Sequence, residues 1–592
     1  MNKKIIVFIS SLFLFLNNCA GPTSTITQME LRSHVRYLAS DRLQGRFPGT
    51  NGDRKAAEYI RNQFKISSLT LLGDAGFQYF DIITDVFLGD NNSLTIDQTN
   101  FSVGSDFIPL SFSQNTTLTA PIIFVGFGFN FQKDSLSWND YSDIDVAGKW
   151  VLILRGSPDG NNPHGDFSEH SSLRKKVMIA KDHSAAGVIF TSGFNFDESD
   201  ILIPLRYEQS QINVSIPVIH VKREVANLLL YSSGGSLVSL ENTVIQMKEK
   251  FKSIELKKNV SVSTTVKYKT VQTQNIVGVL PGIDEKLKDE YVVMGAHYDH
   301  LGFGGEHSGS RRPDHYEIHN GADDNASGVS VMMELAELFS HNNSNKRTLV
   351  FVGFGAEEMG LLGSKYFVKS GIIENENIQI MLNMDMVGRL DRKVNKISIG
   401  GTHTAVNLES EIETIVSKAS LQSSFSPEGY GPSDHSSFYV NDTPVLFFFT
   451  GAHNDYHTPD DDADKVNYNG MKVLSQLIYS IADYFSTMDE RLVFQEAGPK
   501  QQEKRQRFKV TLGIMPDYTY SATMGLRIDA VLKNKPASIA GLKGGDIIIK
   551  MNGNSVNDIY EYMHRLSEFN PGDEVKIKVV RSKEEKTVIV KF

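Results

Sequence analysis

The spacing of hydrophobic residues is helical at the start of the chain. Leu31, Val35 and Leu38 recur on one helical face, a polar stretch at Gly45–Thr50 interrupts the pattern, and the spacing then resumes as far as Phe64. This region predicts a helix, a polar loop and a second helix.

The pattern changes between about residues 119 and 249, where short apolar runs alternate with turns rich in Gly, Asn and Asp. Such short runs bounded by turn residues are typical of strands. We predict a compact β-rich unit here, with strands at Ile122–Gly126, Trp150–Leu154, Gly187–Phe190 and Ile216–Val221.

A third pattern occupies about residues 272 to 488, where apolar strand runs alternate with helical stretches such as Val329–Phe339. This alternation predicts an α/β domain with a mainly parallel, mixed sheet flanked by helices. The predicted strands are Tyr291–Ala296, Leu349–Phe354, Ile378–Met384 and Val445–Phe449. A polar linker at 495–507 precedes a small β-rich module, 508–592.

The amino terminus predicts export from the cytoplasm. Lys3 and Lys4 precede the apolar run Ile5–Leu16, which is shorter than the roughly 20 residues of a spanning helix and typical of a signal peptide. Leu16–Cys19 resembles a bacterial lipobox, which implies a signal peptide at 1–19, a lipid on Cys19 and a place in the cell envelope, in the periplasm or at the outer membrane. An ordinary secretory peptide with an incidental cysteine is the alternative. No later apolar run is long enough to span a bilayer, so we expect membrane attachment by lipid only.

The amino-acid composition excludes several classes of partner and of functional site. The 592 residues include 60 Lys and Arg against 70 Asp and Glu, a formal net charge of −10, which argues against nucleic acid as a partner. The single cysteine excludes a disulfide framework, a thiolate zinc finger and an iron–sulfur cluster. The reactive groups must therefore come from His, Asp, Glu and Ser.

Candidate groups stand where the predicted strands end. His297 follows the first strand of the α/β region, the pair Glu357 and Glu358 follows the second, and Asp385 follows the third. The carboxyl ends of parallel strands share one edge of the sheet, so these side chains should converge. Imidazoles and carboxylates together suit zinc, and five or more ligands suit two ions that share a carboxylate. Of two adjacent glutamates, one can bind metal while the other faces the attacking water.

Five motifs in this region closely resemble the co-catalytic di-zinc exopeptidases, a family that includes bacterial leucyl aminopeptidases, aminopeptidases S and Y and the glutamate carboxypeptidases. They are GAHYDHLG (Gly295–Gly302), GADDNASG (Gly321–Gly328), AEEMGLLGS (Ala356–Ser364), NMDMVGR (Asn383–Arg389) and DYHTPDD (Asp455–Asp461). All five stand in the order found in the family. The resemblance covers residues 29–105 and 265–490, which we assign to one discontinuous catalytic domain.

The resemblance implies a site for a pair of zinc ions. His297 and Asp385 would hold one ion, Glu358 and His457 the other, and Asp323 would bridge them.

The resemblance also implies roles around the metal pair. Glu357 would be the general base, and Asp299 would orient His297. Asp324 would be the residue after the bridge, where the family often has a cis peptide bond.

The flanking regions resemble known modules. Residues 115–255 resemble the protease-associated (PA) domain, on the motifs VGFGF (Val125–Phe129), DVAGKWVLILRG (Asp145–Gly156) and AAGVIF (Ala185–Phe190). Residues 508–592 resemble a PDZ domain, on TMGLRIDAV (Thr523–Val531) and KPASIAGLKGGDIIIKMNG (Lys535–Gly553). The PDZ resemblance implies that Met524, Gly525 and Leu526 form a loop that binds the carboxyl terminus of a peptide partner.

Several polar residues have both a structural and a functional interpretation. His435 is either a donor near the substrate or a packed histidine. We expect His300, His307 and His315 to be solvated or packed loop residues, whereas His319 could line the site.

Which end of a peptide is attacked depends on whether an arginine binds the carboxylate at the C-terminus of the substrate. Arg389, Arg311 and Arg312 are the candidates for that role. The leading hypothesis is an aminopeptidase acting on peptides, and a carboxypeptidase with the same ligands is its alternative. A single-zinc enzyme like the glutaminyl cyclases is disfavoured because His297 is retained, and a non-catalytic receptor-like protein is disfavoured because the ligand set is intact.

Overall fold

The computed structural model describes most of the chain from residue 25 onward. The described residues are 25–592 apart from 134–135, 161–165, 168–169, 207–213, 232–233, 307, 420, 499–509, 517–524, 532–534, 557–561, 563–564, 567–568 and 582–583. Cys19, His307, Met524 and most of the linker lie outside them. Within these residues, every helix is too short or too polar to cross a bilayer.

The first segment contains the two predicted helices, α1 (Gln28–Leu38) and α2 (Asn51–Ile66), separated by the tight turn Asp41–Arg46. The Thr27 side chain caps α1 by accepting a hydrogen bond from Glu30 N. Leu31, Val35 and Leu38 are buried, as their spacing predicts. Two strands follow, β1 (Thr70–Leu71) and β2 (Phe77–Leu88).

An inserted unit begins at Ser93. Its strands are β3 (Ser93–Ile96), β4 (Thr99–Phe101), β5 (Phe107–Pro109), β6 (Thr116–Phe124), β7 (Asn130–Lys133), β8 (Leu136–Asn139), β9 (Trp150–Leu154), β10 (Gly187–Thr191), β11 (Val218–Val221) and β12 (Ile254–Thr264). Eight of them form one sheet in the order β4-β3-β12-β6-β9-β10-β11-β5.

The insert differs from the sequence prediction in two ways. It contains three helices, α3 (Leu173–Asp182), α4 (Arg223–Leu230) and α5 (Leu237–Met247). Its sheet also extends beyond residues 115–255 at both ends, because the edge strands β3 and β4 pair through β12. We call residues 93–264 the insert.

The returning chain completes the catalytic domain. Its strands are β13 (Val266–Leu280), β14 (Tyr291–His297), β15 (Thr348–Phe354), β16 (Ile378–Met384), β17 (Lys396–Gly400), β18 (Gln422–Ser426) and β19 (Val445–Phe449). Its helices are α6 (Gly328–Asn342), α7 (Leu362–Ser370), α8 (Leu408–Val416), α9 (His435–Tyr439) and α10 (Tyr468–Thr487).

These strands form a mixed nine-stranded sheet in the order β1-β13-β15-β14-β16-β19-β17-β18, with β2 paired to β13. The neighbours β15, β14, β16 and β19 run parallel, whereas β13 is antiparallel to β15. Every residue of β15 and β16 is buried, because helices cover both faces of a parallel sheet. The α/β prediction is confirmed, and the carboxyl ends of four parallel strands meet at one edge.

The tail forms a small β-rich unit with strands β20 (Ile514–Pro516), β21 (Leu526–Val531), β22 (Ile547–Met551), β23 (Asn554–Ser555), β24 (Glu574–Arg581) and β25 (Glu584–Lys591), and the short helix α11 (Pro536–Ile539). Gly525 has a φ of 96° and directly precedes β21. This conformation favours glycine in the loop that sequence analysis assigned to peptide binding.

Arg46 connects the amino-terminal segment to the edge of the sheet. Its guanidinium is buried and donates to the carbonyl oxygens of Leu38 (2.6 Å), Tyr298 (2.7 Å), Asn320 (2.7 Å) and Gly321 (3.0 Å). Burial lowers the pKa of Arg46 to about 10, and the negative charges of nearby carboxylates partly offset that effect. One side chain therefore fixes the end of α1 and the loops that follow β14 and precede α6.

We expect Arg46→Met to destabilise the catalytic domain, because it leaves buried carbonyl oxygens without donors at a cost of about 1–3 kcal/mol each. A loss of about 3 kcal/mol or more should appear in urea unfolding followed by circular dichroism. Arg54→Met is the matched control, since Arg54 is exposed and its guanidinium donates to Gly49 O at an exposed position. Its effect should stay within about 0.5 kcal/mol, and equal losses in the two variants would contradict this account of Arg46.

Candidate metal and catalytic site

The predicted site residues lie at the carboxyl edge of the catalytic sheet. His297 is the last residue of β14, Asp385 follows β16, and Glu357 and Glu358 follow β15 at a distance of three and four residues. His457 is on the loop after β19 and has a φ of 54°. The strand order brings the first four groups to one edge of the sheet, and the loop after β19 adds His457.

Asp324 lies at the centre of the cluster. Metal-competent atoms fall into two groups, one of His297, Asp324 and Asp385 and one of His300, Asp324 and Glu358, and within each group the atoms lie within 4.8 Å of one another. The shared carboxylate is therefore that of Asp324. The assignment of Asp323 as the bridge is wrong, and the cis peptide bond lies one residue later than expected, between Asp324 and Asn325.

Asp323 is held away from the cluster by other partners. Its Oδ1 atom accepts a hydrogen bond from Gly388 N at 2.6 Å, and its Oδ2 atom lies 3.1 Å from His453 Nε2. The carboxylate of Asp461 accepts from the backbone N–H groups of both Asp323 (2.8 Å) and Asp324 (3.1 Å). These contacts fix the turn so that the second of the two aspartates faces the strand ends.

The first group is arranged around His297. Its Nε2 atom lies 3.3 Å from Asp324 Oδ1 and 3.4 Å from Asp385 Oδ1, and its Nδ1 atom lies 3.3 Å from the backbone oxygen of Asp299. A carbonyl oxygen can only accept, so Nδ1 carries the proton in the neutral ring and Nε2 presents its lone pair to the two carboxylates.

The second group contains the imidazole of His300, and the imidazole of His457 lies beside the group. His457 Nε2 lies 3.1 Å from Asp324 Oδ2 and 3.1 Å from Glu358 Oε2, while its Nδ1 atom faces Gly309 O at 3.1 Å. His300 is fully buried, and its Nδ1 atom lies 2.8 Å from Glu358 Oε1. Of the two expectations for His300, solvated or packed, the structure supports the packed one, and the ring packs beside Glu358.

Glu357 borders the first group without belonging to it. Its Oε2 atom lies 3.9 Å from His297 Nε2. The Asp299 carboxylate accepts hydrogen bonds from Glu357 N (3.0 Å) and Glu358 N (3.3 Å) and lies 3.8 Å from His297 Nδ1. Asp299 therefore positions the two glutamates directly, and its backbone oxygen, rather than its carboxylate, is the nearer partner of His297.

The two glutamates differ electrostatically. Burial raises the pKa of Glu357 well above its usual range, and the neighbouring carboxylates of Asp434 and Glu358 add to this effect. Burial acts in the same direction on Glu358, but His457 and His300 outweigh it and lower its pKa to about 2. Glu357 is thus suited to hold a proton, and Glu358 to remain an anionic ligand.

The histidines respond to the same charges. Burial opposes protonation of His457, but the carboxylates of Glu358 and Asp324 outweigh it and raise its pKa to about 11. The pKa of His297 is likewise raised above its usual value by Glu357 and Asp385, against the effect of burial. Positive charge is strongly favoured among these side chains.

The donor set fits divalent metal ions. Lone pairs of His297 and His457 face carboxylate oxygens, and acceptors that face one another need a cation between them. The buried Asp324 Oδ2 has no donor in hydrogen-bonding geometry among the described residues. Nitrogen and oxygen ligands in two groups with a common carboxylate match a pair of zinc ions.

The remaining candidates lie outside both groups. His435 is buried and stacks on Phe447 with 4.4 Å between ring centroids, and burial lowers its pKa to about 3. His319 is buried, with its ring nitrogens beside Ser310 Oγ and Glu317 O. His315 is exposed and lies 3.7 Å from the Glu317 carboxylate.

Two of the candidate arginines are engaged by acidic side chains. Arg389 donates to Asp455 and Asp461, each at 3.1 Å, and Arg312 pairs with Asp460. Arg311 lies 3.5 Å from the His453 carbonyl oxygen. The ion pairs of Arg389 and Arg312 stabilise the loop that carries His457. These two guanidinium groups are therefore engaged within the protein rather than available to a substrate carboxylate.

Three residues near the cluster were not predicted from the sequence as parts of the site. Asp461 is buried, and its carboxylate fixes the Asp323–Asp324 turn. The Tyr456 ring stacks on His457 with 3.9 Å between centroids, and burial together with nearby carboxylates raises its pKa above the usual range. Asp434 is fully buried with a pKa raised by burial to about 7. Asp434 stands beside His435 in the sequence, but nothing there indicates its burial.

Comparisons with protein families match a part of each folding unit, in the order of the chain. The pattern of Peptidase family M28 matches residues 275–482, that of the PA domain matches residues 118–229, and that of the PDZ domain matches residues 503–592. The first match contains all the residues of the two metal-competent groups.

Relatives share the catalytic region to different extents. Aminopeptidase YwaD of Bacillus subtilis is 26% identical over 74% of this chain and 81% of its own length. A probable zinc metalloprotease of Pyrenophora tritici-repentis is 38% identical over 20% of this chain and 25% of its own length. The chain thus spans most of the first relative and a quarter of the second.

Among solved structures, an aminopeptidase from Aneurinibacillus sp. strain AM-1 is 20% identical, with 80% of this chain and 95% of that chain aligned and a TM-score of 0.45. The family patterns, the motif order and the geometry of the strand ends agree with one another. Residues 275–482 therefore match peptidase family M28, residues 118–229 match the PA domain and residues 503–592 match the PDZ domain.

Proposed function

We propose that the protein is a zinc-dependent exopeptidase, an aminopeptidase that removes the N-terminal residue of peptides. The observation that carries the proposal is the pair of ligand groups that share Asp324, with Glu357 beside them and outside both. The names of the relatives, aminopeptidase and zinc metalloprotease, support the same reaction class.

Each side chain of the cluster would have a separate role in hydrolysis. His297 and Asp385 would hold one zinc ion, Glu358 and His457 the other, and Asp324 would contact both. His300 would orient the Glu358 carboxylate through their 2.8 Å contact. Bound zinc supplies Lewis acidity that polarises the scissile carbonyl group and acidifies a water molecule.

Glu357 would move the proton in this reaction. Its raised pKa allows it to accept a proton from the attacking water and to donate it to the leaving amine as the C–N bond breaks. Asp299 would hold Glu357 in place through the Glu357 N–H. The product amine departs neutral, and Glu357 returns to its starting state.

The engaged arginines support attack at the amino end of the peptide. A carboxypeptidase needs a cation for the substrate carboxylate, whereas Arg389 and Arg312 pair with acidic side chains. Retention of His297 in the first group disfavours a single-zinc cyclase, and the presence of both groups with His457 beside them disfavours a receptor without activity.

Two further parts of the proposal concern location and partners. We propose that the protein is exported to the bacterial cell envelope and anchored there by lipid on Cys19. We also propose that the PDZ domain binds the carboxyl terminus of a peptide or protein, with Gly525 and Leu526 in the binding loop.

The zinc content of purified variants should show which of the two adjacent aspartates is the shared ligand. Asp324→Asn replaces the shared anionic oxygen by an amide, so the purified variant should retain well under one zinc ion per chain after dialysis. Asp323→Asn changes a carboxylate that faces Gly388 and His453, and it should retain close to two. Elemental analysis measures both. Zinc lost from Asp323→Asn and retained by Asp324→Asn would restore the original assignment.

Substitution of each of the two adjacent glutamates should have a different effect on kcat and on zinc content. Glu357→Gln removes the proton carrier, so kcat should fall by about 10²–10⁴-fold while zinc content stays near that of the wild type. Glu358→Gln weakens a ligand, so zinc should be lost along with activity. Each variant is the matched control of the other. The roles are reversed if Glu357→Gln loses zinc, and the pair is not catalytic if neither change slows hydrolysis tenfold.

Fractionation of cells tests the anchor. Each buried methylene of an acyl chain contributes about 0.8 kcal/mol to membrane affinity. Cys19→Ser should therefore move the protein from the membrane fraction to the soluble fraction or block its maturation, whereas Thr25→Ser should leave it with the membrane. Wild-type protein that is unacylated and free in the medium would contradict the anchor.

A further inference from the structure

A large cleft extends from the metal-competent cluster to the insert. Its volume is about 1130 Å³, and His300 and Glu358 line one part of it. Residues of the catalytic domain, such as Phe303 and Tyr316, form one wall, and residues of the insert, such as Ile201 and Leu205, form the other. Sites for small ligands usually measure about 300–1,000 Å³, so this cleft has room for more than a single amino acid.

The insert wall is an apolar loop. Residues 201–205 read Ile-Leu-Ile-Pro-Leu, and Ile201 is 62% exposed. Exposed apolar side chains that are grouped in a concave surface are typical of binding sites. We call residues 201–205 the apolar loop.

Buried polar contacts fix the apolar loop before any ligand arrives. The Nδ1 atom of His220, on β11, accepts a hydrogen bond from Ile203 N at 3.0 Å. Just before the loop, the Asp200 carboxylate accepts from Arg223 N at 3.1 Å, and the Arg223 guanidinium donates to Ser192 O and Gly193 O. The loop is therefore preorganised by the insert sheet, which lowers the entropic cost of binding.

The opposite wall presents aromatic rings. Phe303 and Tyr316 stack with 5.3 Å between ring centroids and an angle of 12° between their planes. Tyr316 is 77% exposed although it lies beside the cleft. An apolar loop facing an aromatic pair favours large apolar side chains between them.

We propose that this cleft holds the peptide residues on the C-terminal side of the scissile bond and selects large apolar side chains there. The inference rests on the proposed exopeptidase function. The cleft begins at Glu358 and His300, within the second ligand group, and continues between two domains. An extended chain advances about 3.3 Å per residue, so the first residues beyond the metal pair must occupy such a channel.

Two single variants test the two walls. Ile201→Asp places a charge on the apolar loop, and Tyr316→Ala removes the exposed ring of the aromatic pair. Both positions are exposed, so the variants should fold like the wild type. Ile66→Asp is the matched control, because Ile66 is 69% exposed at the end of α2 and lies outside the cleft lining. Circular dichroism and zinc content confirm that each protein is intact.

The measurement is a ratio of kcat/KM values for two pentapeptides, Leu-Phe-Leu-Gly-Gly and Leu-Gly-Gly-Gly-Gly. Wild type should favour the first, and Ile201→Asp and Tyr316→Ala should each lower the ratio about tenfold, which corresponds to about 1.4 kcal/mol. Ile66→Asp should keep the ratio within twofold of wild type.

Other outcomes overturn the inference in recognisable ways. If the ratio is unchanged in both cleft variants while both peptides are cleaved, the downstream residues bind elsewhere. If the variants instead change the preference among aminoacyl p-nitroanilides, the cleft holds the N-terminal residue. A zinc-loaded wild-type protein that cleaves neither peptide nor any anilide would overturn the proposed function itself, and the inference with it.

Discussion

The burial of several carboxylates at one edge of the sheet is the constraint on which the rest of the structure depends. Asp324 and Glu358 each lie within 4 Å of two or more imidazoles and Glu357 lies 3.9 Å from that of His297, in surroundings that exclude most water. Burying unpaired charges is costly, so this arrangement requires positive charge among the side chains. Zinc ions would supply such charge, and hydrogen bonds to the backbone hold the turns that carry these carboxylates.

The supporting contacts show how the fold sustains this arrangement. Asp461 accepts from two successive backbone N–H groups and pairs with Arg389, so an ion pair behind the site orients the turn in front of it. Asp299 does the same for the two glutamates. Acidic residues thus serve here both as candidate ligands and as acceptors that position the backbone of those ligands.

Much of this could be predicted from the sequence, and the exceptions have physical reasons. Strand ends identify His297, Glu358 and Asp385, because the carboxyl ends of parallel strands must meet. The choice between Asp323 and Asp324 depends on which side chain a non-helical turn directs inward, and spacing in the sequence does not encode that direction. Burial of His300 likewise depends on a loop that folds back across the sheet edge. The helices of the insert, such as Leu173–Asp182, were obscured by the many short apolar runs around them.

The way in which the insert joins the catalytic domain has a mechanical consequence. The chain leaves along β2 and returns along β13, and these strands pair antiparallel from Phe77 with Ile276 to Leu88 with Val266. The two connections therefore form one continuous ribbon rather than two separate linkers. A two-stranded ribbon twists more easily than it stretches, so rotation of the insert about this axis would change the width of the cleft while the catalytic sheet stays intact. In that case the length and stiffness of β2 and β13 would limit how widely the cleft opens to a peptide.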